Sequence, residues 1–146
     1  MYKLKCSGVK MANDYQYVLT TISDIKTVTD HVLSGIEQHM PLNESRRYEV
    51  ALVLNELLVN CFTHAAPSET EPVLLAASII DGILSIRVTD NGDGFEYEKK
   101  INALERHTDE DGLFRERGRG LMLVKAFSQE IKYNLTGNSV EVTIVL

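Results

Sequence analysis

The sequence contains no tryptophan, three prolines and two cysteines among 146 residues. Cys6 and Cys61 supply neither a disulfide framework nor a metal-ligand spacing, and they fit a reducing compartment as buried thiols. No run approaches the roughly 18 apolar residues of a membrane-spanning helix, so no membrane partner is expected. The opening "MYKLKCSGVK" lacks the apolar stretch of a signal peptide, and the expected location is the cytoplasm. A basic excess is missing too: 15 Lys and Arg stand against 21 Asp and Glu, a formal net charge of −6. That balance argues against direct contact with nucleic acid. It leaves room for a single phosphate-bearing small molecule, because one pocket can be locally positive on an acidic protein. Repeats, low-complexity tracts and linkers rich in proline or glycine are also lacking, so residues 1–146 read as one domain. What is present, 44% hydrophobic and 25% charged residues, is the mix of a soluble globular chain. Its length is enough to bury roughly two-thirds of the surface of the extended chain.

"YKLKCSGV" and "YQYVLTTI" read as short strands, the first with weak alternation. From Asp24 to about Met40, Ile25, Val28, Val32, Ile36 and Met40 recur at helical spacing. Pro41 ends that helix and Asn43 is placed to cap the next. The second helix, "ESRRYEVALVLNELLVNCFTHA", carries an apolar stripe of Val50, Leu54, Leu57, Leu58 and Cys61, and Pro67 closes it. Strands "PVLLAASII" and "GILSIRVTD" follow, joined through Asp81-Gly82, a hairpin signal. A short helix is expected around Tyr97 to Arg106, then a polar loop, "HTDEDGLFRERG". "GLMLVKAFS" restores helical periodicity through Leu121, Leu123, Val124 and Phe127. The chain closes with strand "EIKYNLT", a Gly137-Asn138 turn and "SVEVTIVL", in which Val140, Val142, Ile144 and Leu146 share one face. These elements predict an α+β fold: a two-layer sandwich whose mostly antiparallel sheet is covered on one face by helices.

Several polar residues do not suit a plain core. Strand periodicity puts Asp90 on the face of Leu84, Ile86 and Val88, where a carboxylate needs hydrogen-bond partners. It either caps the turn at Asn91 and Gly92, or accepts from an exocyclic amine such as adenine's above a floor thinned by Gly92 and Gly94. On the second helix, Glu56, Asn60 and His64 recur at steps of four and form one drifting stripe. A solvated face explains His64 as well as a functional role does. It explains Glu56 and Asn60 less well, because both lie within apolar "LNELLVN". An asparagine carbonyl is a suitable oxygen ligand for Mg²⁺ bridging phosphates, and a glutamate one turn earlier can orient or deprotonate an attacking hydroxyl or water. "GRGL", Gly118 to Leu121, stands at a helix start, where amides and small residues seat phosphate. Arg117 and Arg119 either add charge there or are solvated. One Gly-x-Gly means little, but its order after Glu-x3-Asn and Asp-x-Gly-x-Gly describes an ATP cleft with an adenine acceptor, a magnesium ligand and a phosphate seat.

In that order the chain resembles the Bergerat-fold ATPase/kinase superfamily of gyrase, Hsp90, histidine kinases and MutL. "NELLVNCFTHA" is similar to its N box, "DNGDGF" to its first glycine box and "GRGLMLV" to its second. The resemblance covers almost the whole chain and is nearest the small anti-sigma-factor serine/threonine kinases of bacterial partner switching. It implies that Glu56 acts as general base, Asn60 holds Mg²⁺, and Asp90 contacts adenine beside Gly92 and Gly94. It also implies that the lid between the two glycine boxes closes over the phosphates, that Gly118 and Gly120 match its glycine turn, and that Arg117, Arg119 and Leu121 belong with them to the cofactor-binding residues. Arg115, Arg117 and Arg119 all remain candidates for the γ-phosphate. The implied cofactors are ATP and Mg²⁺. The implied partners are a STAS-like anti-sigma-factor antagonist, a sigma factor and a second copy in a homodimer, through the open sheet face or the N-terminal region. The second glycine box's lid departs from better-known ones, which leaves a nucleotide-gated binding protein without phosphoryl transfer as the alternative. A histidine-kinase catalytic domain would need a phosphoacceptor histidine on a preceding dimerisation helix; His31 has too little chain before it and is expected in the domain core. A gyrase-like ATPase would need a transducer domain.

Overall fold

The computed structural model describes residues 14–92, 116–134, 136 and 138–146, with the side chains of 116–119 left aside. The strand expected over residues 2–9, the helix over 97–106, most of the polar loop, and Gly94 lie outside the described residues.

Within them the order is β1 (Asp14–Leu19), α1 (Asp24–Glu37), α2 (Glu44–His64), β2 (Val73–Ile80), β3 (Ile83–Thr89), α3 (Glu116–Phe127), β4 (Glu130–Tyr133) and β5 (Ser139–Val145). The strands form one five-stranded sheet in the order β1-β2-β3-β5-β4, antiparallel at every pairing. Three helices cover one face, which makes the expected two-layer α+β sandwich.

Alternation along the strands decides which face is covered. Leu75, Ala77 and Ile79 of β2, Leu84, Ile86 and Val88 of β3, and Val140, Val142 and Ile144 of β5 are all buried. They meet Val50, Leu54, Leu57, Leu58 and Cys61 of α2 and Ile25, Val28, Val32 and Ile36 of α1 in one apolar cluster. Leu121 and Val124 of α3 belong to the same cluster, with Leu123 and Phe127 only half-buried. On the other face Leu74, Ile80, Ile83 and Val145 are exposed, while Arg87 pairs with Glu141 across β3 and β5.

Local chemistry sets the boundaries. Asn43 accepts from the Arg46 amide at 2.8 Å and starts α2. Asp24 Oδ2 reaches back to the Thr20 and Thr21 amides at 2.9 and 3.0 Å. Those bonds end β1 at Leu19, short of the "TTI" assigned to it from pattern, and hold the chain as it enters α1. α1 likewise stops at Glu37 rather than Met40, whose amide bonds back to the Ile36 carbonyl in a closing turn. Asp81 and Gly82 adopt φ of 51° and 75°, the left-handed pair that a two-residue hairpin turn requires. β4 ends at Tyr133, because the Asn134 side chain turns back to accept from the Asn138 and Ser139 amides. α3 begins at Glu116, so residues 116–118, expected in the loop, are helical. His31 is a further correction: it is exposed on α1, not in the core, with its ring 6.2 Å from that of Tyr17.

One close approach ties β1 to α1. A Cβ at Gly35 would lie 2.7 Å from Tyr15 Cζ and 2.9 Å from its hydroxyl. That hydroxyl donates to the Gly35 carbonyl at 3.2 Å and lies 3.3 Å from His39 Nε2. Alanine normally improves a helix interior by about 1 kcal/mol over glycine. Here the sign should reverse, because the phenol must swing away from both partners. Gly35→Ala is expected to destabilise the chain by about 1–3 kcal/mol in urea titration, the range for overpacking. Tyr15→Ala in the same chain should remove the penalty.

Candidate functional site

α2 is the spine of the site. Its stripe of Glu56, Asn60 and His64 grades from half-buried through buried to exposed, because the stripe drifts around the helix as it leaves the core. Asn60 is 7% exposed, and its Nδ2 has no hydrogen-bond partner among the described residues. A buried amide end without a partner is costly unless something else occupies it. A half-turn of the amide presents Oδ1 at the same place, since the two ends differ only by assignment.

Glu56 lies one turn earlier. Burial pushes its carboxyl above the ordinary glutamate range, so it holds a proton more readily than a solvated carboxylate does. Opposite it stands α3: Glu56 Oε2 occupies the space that a side chain at Gly120 would fill. Gly118 falls in the first described turn of α3. Arg117 and Arg119 belong to that turn, but their side chains lie outside the described residues. The Leu121 side chain is buried in the core at 2% exposure.

The other end of the site follows β3. Asp90 continues the buried face of Leu84, Ile86 and Val88, as its spacing predicts, and is 8% exposed. Its Oδ1 accepts from the Gly92 amide at 2.8 Å, so the turn-capping role is real. Capping uses one oxygen of the carboxylate and leaves the other able to accept elsewhere. A Cβ at Gly92 would lie 3.1 Å from that of Ala65 and 3.0 Å from Asp90 Oδ1, so this loop lies flat against the end of α2. Cys61 completes the contact. Burial drives its thiol far above its ordinary range, and the Asp90 carboxylate beside it acts in the same direction, by charge and as a hydrogen-bond acceptor.

One helix thus touches both glycine segments: Glu56 meets Gly120, Cys61 meets Asp90, and Ala65 meets Gly92. Asn60 stands between. From Glu56 to His64 the helix rises about 12 Å, and Ala65 follows as its extended C-cap. Sequence pattern singles out Glu56, Asn60 and Asp90 but misses the pairing of Cys61 with Asp90. Its only trace is that Cys61 follows Asn60 on the core-facing stripe. A separate groove of about 1000 Å³ lies on the open face of the sheet, over Val18, Leu74, Ala76, Arg87 and Thr89. It is separated from this site by the sheet itself.

The fold is thus an α+β sandwich in which one helix touches both glycine segments. The chain belongs to the histidine kinase-like ATPase domain family, which matches residues 20–145. No match was found among curated proteins. ATP is the ligand this membership implies. Among the described residues, no helix is long and apolar enough to cross a membrane. Nor does any group of three or more His, Cys, Asp or Glu side chains there form a metal site of its own. Mg²⁺ needs no such group when phosphate oxygens and water fill most of its shell, and a half-turn of the Asn60 amide, whose Nδ2 has no partner among the described residues, would offer such an ion an oxygen.

Proposed function

We propose that the chain is an anti-sigma-factor serine/threonine kinase. It would transfer the γ-phosphoryl group of ATP to a hydroxyl of a STAS-like antagonist and bind a sigma factor in the alternate state. The observation that carries this reading is the pairing of a half-buried Glu56, whose carboxyl pKa is raised by burial, with a buried Asn60 one turn away whose Nδ2 has no partner among the described residues. Asp90, with Gly92 and Gly94, would hold adenine. The first turn of α3, with Arg117, Gly118, Arg119, Gly120 and Leu121, would hold the phosphates. Asn60 would hold Mg²⁺, which when bound with ATP offsets charge on the phosphoryl oxygens.

The acceptor oxygen forms a bond to the γ-phosphorus as the bond to the β,γ-bridging oxygen breaks and ADP leaves. The hydroxyl proton passes to the Glu56 carboxylate. A raised pKa suits that role, since a stronger base is better matched to an alcohol. The exposed Leu74, Ile80, Ile83 and Val145 of the open sheet face would serve the homodimer contact.

The test is incubation of the full chain with γ-labelled ATP and Mg²⁺, together with the antagonist encoded beside it. Label is expected on a serine or threonine of the antagonist. ATP binding without label on a folded cognate antagonist would refute the kinase and leave a nucleotide-gated binding protein.

A further inference from the structure

Gly120 is not a glycine for backbone reasons. It lies inside α3 without a left-handed φ, in a setting where glycine is the poorest residue apart from proline. What excludes a larger residue is Glu56. A Cβ at position 120 would stand 1.9 Å from Glu56 Oε2, 2.6 Å from Cδ and 3.3 Å from Cγ. The whole end of the glutamate lies in the volume of the missing side chain.

We infer that Gly120 is a positioning residue for Glu56: its bare backbone on α3 is the seat that decides where the carboxylate comes to rest. The inference rests on Glu56 being the base. Because α3 also begins with the proposed phosphate seat, any shift of that helix on phosphate binding carries the seat of the base along. Placement of the base and occupancy by phosphate are then mechanically coupled through four residues of one helix, 117 to 120.

An added methyl at Gly120 collides only with the far end of a flexible side chain, so the glutamate gives way rather than the fold. Ordinary contact requires the carboxylate to withdraw by about 1.5 Å from its 1.9 Å approach. Gly120→Ala is therefore expected to melt no lower than the parent. Its kcat for phosphoryl transfer, read as label on the antagonist, should fall about 100-fold, far more than any change in KM for MgATP, since displacement by an ångström costs about that much. Glu56→Asp shortens the acid and lifts it from the seat. Combined with Gly120→Ala it should be no slower than Glu56→Asp alone, because the seat no longer matters.

An unchanged kcat in Gly120→Ala, or losses that multiply independently in the double variant, would overturn the inference. A measurement independent of catalysis accompanies these: a nuclear Overhauser contact between the Glu56 γ protons and the Gly120 α protons of the parent chain. Its presence supports the seat even if Gly120→Ala fails to fold, and its absence overturns it. If the contact is present but Glu56→Gln turns over normally, Glu56 is not the base; the positioning role falls with that assignment and the packing remains.

Discussion

Asp90→Asn should weaken ATP binding by about 10- to 150-fold, the loss of one hydrogen bond to a charged acceptor at roughly 1.5–3 kcal/mol. The substitution suits the test because it keeps the shape of the site. An asparagine at 90 can still accept from the Gly92 amide through its one oxygen, so the turn should survive. In the proposed adenine contact the other end of the side chain would then be an NH₂, which would meet the exocyclic amine donor to donor. Calorimetry with ATP or a non-hydrolysable analogue reads the effect, and thermal melting checks the fold. An affinity within twofold of the parent would mean that Asp90 is only the turn cap and does not contact the base.

Glu56→Gln is expected to lower phosphoryl transfer by about 10²- to 10⁴-fold, the range for a positioned acid–base group. ATP affinity should hardly change, because glutamine keeps the volume of the side chain and adds no group to the proposed adenine and phosphate seats. Stability should move in the opposite direction to activity. Burial raises the folded pKa of Glu56 above that of an unfolded glutamate. The carboxyl therefore favours the folded state below its unfolded pKa, and that contribution is lost as pH rises through the folded one. At neutral pH the ionised glutamate is a burden, so Glu56→Gln should melt above the parent there. The gap should close below about pH 4, where the unfolded carboxyl is also protonated. For the parent, turnover should fall on the acid side at a higher pH than an ordinary carboxylate would dictate. Equal melting temperatures at neutral pH would mean that the carboxylate is well solvated. Unaltered turnover would remove Glu56 from the chemistry.

The layers of the fold are legible in the sequence because burial imposes a period. Val50, Leu54, Leu57, Leu58 and Cys61 repeat at helical spacing and all reach the core, while alternation in β3 places Asp90 correctly. Ends of elements are less legible, since they depend on which side chain captures a free amide. Asp24 ends β1 early and Asn134 does the same for β4, each by bonds that no periodicity reports. His31 shows the converse error: a helical position near an apolar stripe need not be on it. Glu56, Asn60 and Asp90 stand out as polar groups where the pattern asks for apolar ones. Tertiary contacts leave no such mark. Gly120 against Glu56, Gly35 against Tyr15, and Cys61 beside Asp90 unite residues 20 to 64 positions apart.

Because α2 makes contact at both extremities of the site, it behaves as a rigid gauge whose length is fixed by hydrogen-bonded turns. Inserting one residue between Glu56 and Ala65 would rotate everything beyond it by about 100° and advance it by about 1.5 Å. The two halves of the site would then fall out of phase without either being altered in itself. Loops can lengthen or shorten around this domain with little penalty, but a change of count between Glu56 and Cys61 on α2 would put the contacts with Gly120 and Asp90 out of phase.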